Sequence, residues 1–589
     1  MILARRKFLS GAALLSASTL LPVPAWAKGA DLAMAAKGFG TLSGDDIRLS
    51  IDAHRFQTGG RVGHAVAVNG SVPGPLIRLQ EGQTVRLHVE NRLAEQSSIH
   101  WHGLLVPFQY DGVPGVSFPG IGPSETFTYE FPVRQAGTYW WHSHSGLQEQ
   151  AGHYGPLIID AADGSDDRYD RDYIVLLSEF TPRAPDQIMR KLKLAEGYFN
   201  YTKQTATNGD MDLAQRLKWG RMRMDPRDIG DVTGSTYTFL INGHGPADDL
   251  EYLFNPGERV RLRIINGSAM TFFNFRIPGT PLTVIQADGQ DVDEVVVDEL
   301  QLGVAETYDV VVTPGAGAHR IVAEAMDRSG MGVASLTSQP GSRAAIPPLR
   351  ETPTLSMADM GMPDMRMEQP TPAHATDHAP MNHAPMDHAS MDHAPMDHGA
   401  MNHRMRDTSL LPPQVEAGPG VDMVSPVPVD RMGFPGLGLD QVPHRVLRYT
   451  DLRARHANPK RPPERQMEIH LTGNMERYMW SFDGRKFTAV SDDPIGFALN
   501  ERVRVKLVND TMMAHPIHLH GHFFELVNGA EDDRQPRKHT LIVQPGGTAT
   551  FDLTADEPGD WAFHCHLLYH MHAGMFQVVT VRPLSGTAS

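Results

Sequence analysis

The sequence contains a single cysteine, Cys565, and little of the apolar periodicity that is typical of helices. One cysteine cannot form an internal disulfide, so the thiol has a chemical or a packing role. Lysine and arginine (53) are outnumbered by aspartate and glutamate (69), and the net charge of -16 argues against nucleic acid and anionic membranes as partners. No apolar run reaches the roughly 20 residues that a membrane-spanning helix needs.

The N-terminal residues have the features of an export signal. Paired arginines at 5–6 precede a modest apolar run over 11–21 and the sequence AWA at 25–27, a pattern typical of a twin-arginine signal cut after Ala27. An uncleaved membrane anchor is the alternative, but the apolar run is too short for it. We therefore predict that residues 1–27 are a signal peptide recognised by the twin-arginine translocase. The mature protein is then expected in the periplasm, without a membrane anchor.

What the chain has in abundance is glycine (55) and proline (44), together with short segments in which apolar and polar residues alternate. This combination predicts an all-β protein of short strands and turns. A length of 589 residues exceeds what one hydrophobic core serves, so we expect two to four domains.

One strand pattern occurs three times. The three copies are GQTVRLHVENRL (82–93), GERVRLRIINGS (257–268) and NERVRVKLVNDT (500–511), and each is followed by further matching segments. We therefore predict three β-sandwich domains of similar design. The predicted domains are 40–165, 168–340 and 425–585, with 341–424 as the linker between the second and the third.

Histidine pairs occupy equivalent places in the first and third copies. Residues i and i+2 of a strand point to one face, so each His-x-His sends two imidazoles to a common side. The second copy has Asn274, Phe275 and Arg276 at one of these places and no histidine pair at the other. We expect the second domain to be a spacer without ligands. The ten candidate metal-ligating histidines are His100, His102, His142, His144, His515, His518, His520, His564, His566 and His570.

The cysteine lies among these histidines and points to the opposite face of its strand. There Cys565 can join His515 and His570 in a trigonal His₂Cys set, with Met575 as a long axial thioether. This is the ligand set of a blue electron-transfer copper. The eight remaining imidazoles are sufficient for several copper ions that share a cluster.

The chain itself connects the two predicted sites. His564 and His566 are bonded through the backbone to Cys565, so an electron that arrives at the sulfur has a covalent route of about ten ångströms to the cluster. One site collects electrons singly, and the other can use four together. This combination predicts the reduction of dioxygen to two waters, with Cys565, His564 and His566 as catalytic residues.

With these motifs the chain resembles three-domain, laccase-like multicopper oxidases over nearly all of the mature sequence. The resemblance implies cupredoxin-like Greek-key sandwiches and four copper ions, namely one type 1, one type 2 and a type 3 pair. It implies type 1 ligands at His515, Cys565, His570 and Met575, type 2 ligands at His100 and His518, and type 3 ligands at His102, His142 and His566 on one ion and His144, His520 and His564 on the other.

An acidic residue follows the first histidine pair. Asp111, in YDGVPG, resembles the family's acid that helps to deliver protons to oxygen, and we take it as a fourth catalytic residue. The same Asp-Gly is also an ordinary turn signal. After His570 the chain has Met571, where some bacterial relatives carry a second acid.

A methionine- and histidine-rich tract separates the second and third domains. Residues 357–405 hold eleven methionines and seven histidines, and part of the tract reads MNHAPMDHASMDHAPMDHGAMNH. The five-residue period fits neither helix nor strand, and the prolines discourage both, so we predict a disordered insertion. Thioethers favour Cu(I), and His with Asp adds capacity for Cu(II), which predicts additional, weakly held copper. A plain polar linker is the alternative, but it gives no reason for so much methionine.

The tract, the export signal and the sequence YMWSFDG (478–484) resemble the periplasmic copper resistance protein A family of Gram-negative bacteria. That resemblance implies oxidation of Cu(I) to less permeant Cu(II), with phenols as alternative donors and O₂ as acceptor. Two other functions stay open: a laccase with a phenolic physiological substrate, and a periplasmic copper-sequestering protein. Four residues near the predicted type 1 ligands could dock a cuprous ion or be core packing, namely Met512, Met513, Met571 and His572. We expect a monomer.

Overall fold

The computed structural model describes residues 39–583, apart from 165–168, 204–211, 214–215, 217–224, 362–404, 486 and 488–492. The predicted signal peptide and most of the methionine- and histidine-rich tract therefore lie outside the described residues. Among the residues that are described, no helix is both long and apolar enough to cross a membrane.

Strands make up most of the regular structure and fall into three successive groups. The first group is β1 (Thr41–Ser43), β2 (Asp46–Thr58), β3 (Arg61–Val68), β4 (Leu76–Gln80), β5 (Thr84–Asn91), β6 (His100–His102), β7 (Thr126–Pro132), β8 (Gly137–His142) and β9 (Tyr154–Asp160). The second is β10 (Arg171–Phe180), β11 (Thr238–Ile241), β12 (Leu250–Leu253), β13 (Val260–Asn266), β14 (Phe273–Arg276), β15 (Leu282–Ala287), β16 (Gln290–Val297), β17 (Glu299–Leu302), β18 (Thr307–Val312), β19 (Ala318–Ala325) and β20 (Met331–Thr337). The third is β21 (Val429–Asp430), β22 (Arg465–Asn474), β23 (Met479–Phe482), β24 (Ile495–Ala498), β25 (Arg502–Asn509), β26 (His515–Leu519), β27 (Phe524–Leu526), β28 (Arg537–Lys538), β29 (Thr540–Val543), β30 (Gly547–Thr554), β31 (Gly559–Cys565) and β32 (Phe576–Arg582). Two α-helices accompany them in the described part, α1 (Pro185–Leu194) and α2 (Leu568–Ala573).

Each group forms two sheets, and the sheet orders repeat. The first group gives β3-β2-β5-β7 and β1-β4-β9-β8-β6, and the second gives β11-β10-β13-β18-β15-β16 and β12-β20-β19-β14-β17. The third gives β23-β22-β25-β30-β27-β28, with β21 beside β30, and β24-β32-β31-β26-β29. The predicted all-β sandwich fold is confirmed. Strands β6, β14 and β26 hold corresponding places, so the histidine-free segment of the second group lies where the other two carry His-x-His.

The repeated strand pattern buries its alternate residues in two of its three copies. In β5 the side chains of Val85, Leu87 and Val89 are buried between more exposed neighbours, as expected for a strand with one face on the core. In β13 every residue is buried, including both arginines. Arg263 Nε donates to Asp172 at 2.7 Å, and Arg261 pairs with Asp309. Asp309 also accepts a hydrogen bond from Thr138 of the first sandwich. These charged groups therefore lie between the first and second sandwiches.

The two ends of the methionine- and histidine-rich tract are folded. Met357, Met360 and Met405 are buried in the apolar core shared by the second and third sandwiches. Asp359 beside them pairs with Arg431 at 2.5 Å. For these three methionines the prediction of a disordered insertion is wrong, because their side chains pack in the core. Residues 362–404 lie outside the described part of the chain.

Candidate metal centres

The first candidate centre, here called the cysteine pocket, consists of His515, Cys565, His570 and Met575 in the third sandwich. β26 begins at His515, β31 ends at Cys565, and α2 carries His570. Cys565 Sγ lies 3.5 Å from His515 Nδ1, which lies 3.3 Å from His570 Nδ1. Met575 is fully buried and its carbonyl accepts the Cys565 N–H at 3.1 Å. The donor atoms of His515, Cys565 and His570 therefore lie within 4.8 Å of one another, with Met575 held beside Cys565 through its backbone.

The outer ring nitrogens of this pocket are engaged elsewhere. His515 Nε2 lies 2.7 Å from Thr511 Oγ1, and His570 Nε2 lies 2.9 Å from Asp231 Oδ2. These bonds leave Nδ1 of both rings to face the sulfur, as a metal site with oriented imidazoles requires. The residues of YMWSFDG complete the wall: Trp480 stacks on the His570 ring at 3.9 Å, and Tyr478 donates to Asp231 Oδ2 at 2.6 Å.

Burial determines the protonation of the pocket. It raises the pKa of the Cys565 thiol well above its ordinary value, and burial together with the neighbouring His570 lowers the pKa of His515 well below its own. A neutral imidazole offers a free lone pair. A bound cation reverses the preference at the sulfur, because metal binding favours the thiolate.

The second candidate centre, here called the histidine cluster, lies at the seam between the first and third sandwiches. In the first sandwich β6 pairs with β8 so that His100 lies opposite His142, and in the third β26 pairs with β31 so that His518 lies opposite His564. The two strand pairs meet ring on ring: His100 stacks on His520 and His102 stacks on His518, each at 3.9 Å between ring centres. All eight predicted cluster histidines, His100, His102, His142, His144, His518, His520, His564 and His566, are brought together here.

The ring nitrogens of the cluster fit bound metal. His564 Nε2 lies 3.0 Å from His520 Nε2 and 3.4 Å from His144 Nε2. Other buried ring nitrogens have no hydrogen-bond partner, namely His100 Nε2, His102 Nδ1, His142 Nε2, His518 Nε2 and His566 Nε2. Buried polar atoms without a partner are costly, and imidazole nitrogens suit copper. His144, His520 and His564 offer donor atoms within 4.8 Å of one another, as do His100, His102 and His142.

Burial favours the neutral form of seven of these imidazoles in the metal-free protein. Burial, with a smaller contribution from neighbouring imidazoles, lowers the pKa well below the ordinary value for His102, His142, His144, His518, His520 and His566. Burial lowers the pKa of His564 to about 4. Near neutral pH their lone pairs are therefore available to a metal ion.

Two buried acidic residues, Asp111 and Glu149, contact imidazole nitrogens that face away from the cluster. Asp111 Oδ2 lies 2.9 Å from His520 Nδ1, and the Asp111 carbonyl lies 2.7 Å from His100 Nδ1. Glu149 Oε2 lies 2.8 Å from His142 Nδ1. Burial, and secondly the Glu179 carboxylate, raise the pKa of Glu149 well above its ordinary value. Each contact leaves the opposite ring nitrogen free to face the cluster.

Several of these contacts were not predicted from the sequence. Glu149 lies only five residues beyond His144, and an acid so close to a ligand pair is the one signal that could have suggested it. Asp231 of the second sandwich carries no such signal. Thr540 was also missed: its hydroxyl lies 3.3 Å from His518 Nδ1 and 3.4 Å from His102 Nε2.

The four residues considered for docking a cuprous ion have different places. Met513 lines a cavity of about 30 Å³ between the second and third sandwiches, beside Asp231 and next to the cysteine pocket. The second sandwich adds Met270 and Met326 to its lining. Met512 is buried, Met571 is partly buried and His572 is exposed.

Comparisons with known proteins agree with this arrangement. Three sequence profiles, each described as multicopper oxidase, match residues 51–164, 171–340 and 460–585. The chain is 45% identical to the copper resistance protein A homolog of Pseudomonas syringae pv. tomato, over 98% of this chain and 99% of that one. It is 43% identical to copper resistance protein A of Escherichia coli, with the same coverage of 98% and 99%. The solved laccase of Botrytis aclada has the same fold, with a TM-score of 0.57 at 21% identity over 93% of this chain and 89% of that one.

Proposed function

The chain belongs to the multicopper oxidase family, and from that premise we propose that it is a periplasmic oxidase that couples oxidation of Cu(I) to reduction of O₂. In this role it contributes to copper resistance, the property named in its relatives from Pseudomonas syringae and Escherichia coli. The observation that carries the proposal is the placement of Cys565 between His564 and His566. The sulfur thereby belongs to the cysteine pocket, while both flanking rings belong to the histidine cluster.

The positions of the donor atoms support the ligand assignments that the family resemblance implies. His515 Nδ1, His570 Nδ1 and Cys565 Sγ, with Met575, would hold the type 1 ion, and the histidine cluster would hold the type 2 ion and the type 3 pair. Bound copper would supply one-electron chemistry in the pocket and dioxygen chemistry in the cluster. In the net reaction four cuprous ions each lose one electron, and one O₂ takes up these four electrons and four protons to give two waters.

The chain contributes a short connection between the two centres. Two backbone routes leave Cys565, one through each neighbouring residue. A hydrogen bond shortens one of them, because His564 Nδ1 donates to the Cys565 carbonyl at 3.0 Å. Burial keeps solvent away from both routes, since all three residues are almost fully buried.

Asp111 is placed to hold a proton beside the cluster. Its carboxylate is 1% exposed and contacts the rings of His520 and His100. It orients both rings with Nδ1 outward and supplies a proton-holding oxygen close to the place where O₂ is reduced. This supports the catalytic role that the resemblance implies for Asp111.

The cavity next to the cysteine pocket supports Cu(I) as the electron donor. Met270, Met326 and Met513 line it, and thioethers are soft ligands that favour Cu(I). Its volume of about 30 Å³ suits an ion or a water. A cavity of about 150 Å³ holds a benzene ring, so a phenol does not fit into one of about 30 Å³ without rearrangement.

The test compares two donors. We expect Met326→Leu combined with Met513→Leu to raise the KM for Cu(I) about tenfold, because soft ligands are lost, and to leave oxidation of a phenol unchanged. Met331→Leu, in a separate buried patch of the second sandwich and not among the residues that line the cavity, is the matched control. Oxygen uptake is measured with each donor. If the double variant oxidises Cu(I) like the parent, the cavity is not the docking site.

Copper tolerance of cells separates catalysis from sequestration. We expect Cys565→Ser to abolish protection, since it removes the electron route and leaves residues 357–405 in place. Full protection by this variant would favour the copper-sequestering alternative. Deletion of 362–404 tests the tract. Unchanged Cu(I) oxidation and unchanged tolerance after the deletion would refute a role for it.

A further inference from the structure

The second sandwich carries no predicted ligand, yet we infer that it positions the type 2 ligand His518 through Asp288. This inference rests on the proposed function, because it assumes a copper ion at His100 and His518. The role is one of positioning, because Asp288 touches none of the ten predicted ligand histidines; the side chain of His539, which is not a predicted ligand, has its Nδ1 3.7 Å from Asp288 Oδ2. It acts through the backbone of residues 539–540.

Asp288 lies at a turn where all three sandwiches meet. It follows β15 and has a left-handed backbone with φ of 47°, a conformation that Asp tolerates better than most residues. A Cβ on the adjacent Gly289 would lie 2.4 Å from the Tyr139 ring, and a Cβ on Gly137 would lie 2.4 Å from the Gly289 carbonyl. The turn therefore packs directly against the first sandwich, and there is no room for a side chain at residue 289.

From this turn the carboxylate of Asp288 binds a segment of the third sandwich. Oδ2 accepts the backbone N–H of His539 at 3.2 Å and of Thr540 at 3.1 Å. Oδ1 lies 3.0 Å from Lys538 Nζ and accepts the Thr307 N–H at 3.1 Å. Asp288 and Lys538 are both fully buried, so these interactions are not weakened by solvent.

The segment that Asp288 binds, residues 538–540, also orients His518. The carbonyl of His539 lies 2.7 Å from His518 Nδ1, and the Thr540 hydroxyl lies 3.3 Å from the same nitrogen. With Nδ1 engaged, His518 Nε2 is the ring nitrogen that faces the cluster, and it is buried without a partner. Asp288 thus holds the backbone of His539 in place, and the carbonyl of His539 holds the His518 ring.

The experiment uses the full, copper-loaded chain and two variants. In Asp288→Ala both N–H groups lose their acceptor, whereas in Asp288→Asn an amide oxygen can still accept them. Loss of such outer partners typically weakens metal binding by about 10- to 100-fold. We expect Asp288→Ala to lose type 2 copper at about a tenfold lower chelator concentration than the parent. Asp288→Asn is expected to lie between them.

The readouts are copper per chain, the type 2 electron paramagnetic resonance signal and the blue absorption of the cysteine pocket. The type 2 hyperfine splitting should change in both variants, while the blue absorption per chain stays as in the parent. Asp309→Asn is the control, because Asp309 is an equally buried acid of the second sandwich that faces the first. It should leave the type 2 signal unchanged.

The outcomes separate this inference from the proposed function. If the parent shows no blue absorption and no type 2 signal, the proposed function fails. If the parent shows both and Asp288→Asn keeps the parental hyperfine splitting and copper retention, only the positioning role is overturned. Equal weakening of both centres in Asp288→Asn would also overturn it, because that result indicates general loss of stability. Should Asp288→Ala fail to fold, Asp288→Asn decides.

Discussion

The cysteine pocket and the histidine cluster differ in how the chain gathers their donors. The cysteine pocket takes all of its predicted ligands from residues 515–575 of one sandwich. The histidine cluster divides its donors between two sandwiches and is complete only where these meet. The pocket is therefore a property of local strand pairing, and the cluster is a property of domain packing.

The two centres are alike in their dependence on the second sandwich. Asp231 bonds the outer nitrogen of His570 in the pocket, and Asp288 bonds the backbone beside the cluster. The expectation of a plain spacer is incomplete, because the ligand-free sandwich supplies contacts that orient ligands at both centres.

The largest expected effect comes from removing the sulfur. Cys565→Ser should abolish the blue absorption and reduce oxygen uptake to background, because the pocket loses its thiolate and electrons cannot pass on. The type 2 signal should persist, since the cluster keeps its imidazoles. Absorption, electron paramagnetic resonance and oxygen uptake on one preparation provide the check. Oxidase activity that survives without the blue colour would end the proposed electron route.

The next largest effect is expected from acidification of the metal-free chain, which should destabilise the histidine cluster before the sheet away from the seam. Buried histidines with lowered pKa bind protons more readily in the unfolded chain, so stability falls as pH drops below about 6.5. For His564 the fall continues to about pH 4. The cluster holds seven such histidines, whereas β22 and β25 hold none, so the strands at the seam should open first.

Hydrogen exchange of the metal-free chain between pH 7 and 5 measures this. We expect β6 and β8 to lose protection before β22 and β25, which lie in the sheet away from the seam. Loss of protection at the same pH in both regions would contradict a seam held by neutral imidazoles.

A smaller effect is expected from Asp111→Asn. The amide oxygen can still face a ring nitrogen, but the group no longer holds an acidic proton. We expect turnover to fall about 10- to 100-fold, while the blue absorption is unchanged. The rate at which O₂ restores the blue colour of the reduced enzyme isolates this step. A parental rate would leave Asp111 with only its structural contacts.

The smallest effect is expected from Asp231→Asn on the pocket side. The amide keeps an oxygen near His570 Nε2 and Tyr478, but the negative charge beside the pocket is lost. We expect about a tenfold slower Cu(I) oxidation and a shifted blue absorption band, with the type 2 signal unchanged. A change at type 2 instead would mean that the second sandwich does not serve the two centres separately.

The fold and the ligand set could be predicted from the sequence because the strand pattern and the histidine pairs both recur along the chain. Alternation of apolar residues predicted strands such as β5, and three related copies predicted three sandwiches. The burial of Arg261 and Arg263 was not predictable, since their partners belong to other strands and only sandwich packing excludes water there.

The contacts around the ligands were largely unreadable for the same reason. Asp231 and Asp288 are single carboxylates without a spacing pattern, and the only signal for Glu149 is its closeness to His144. Each acquires its role from the folded chain. The burial of Met357 and Met405 also depends on tertiary packing. Composition alone assigned these residues to the copper-binding tract.

The central claim is that the chain joins one sulfur-bound copper to a three-copper cluster. The most direct measurement is a copper count with absorption and electron paramagnetic resonance on a chain lacking 362–404, so that the tract cannot contribute to the count. Gly361 and Met405 both hydrogen-bond to the segment 424–427, so a short linker can join them. We predict four copper ions per chain, with one blue signal and one type 2 signal. A chain that binds fewer ions and lacks the blue signal would contradict the account.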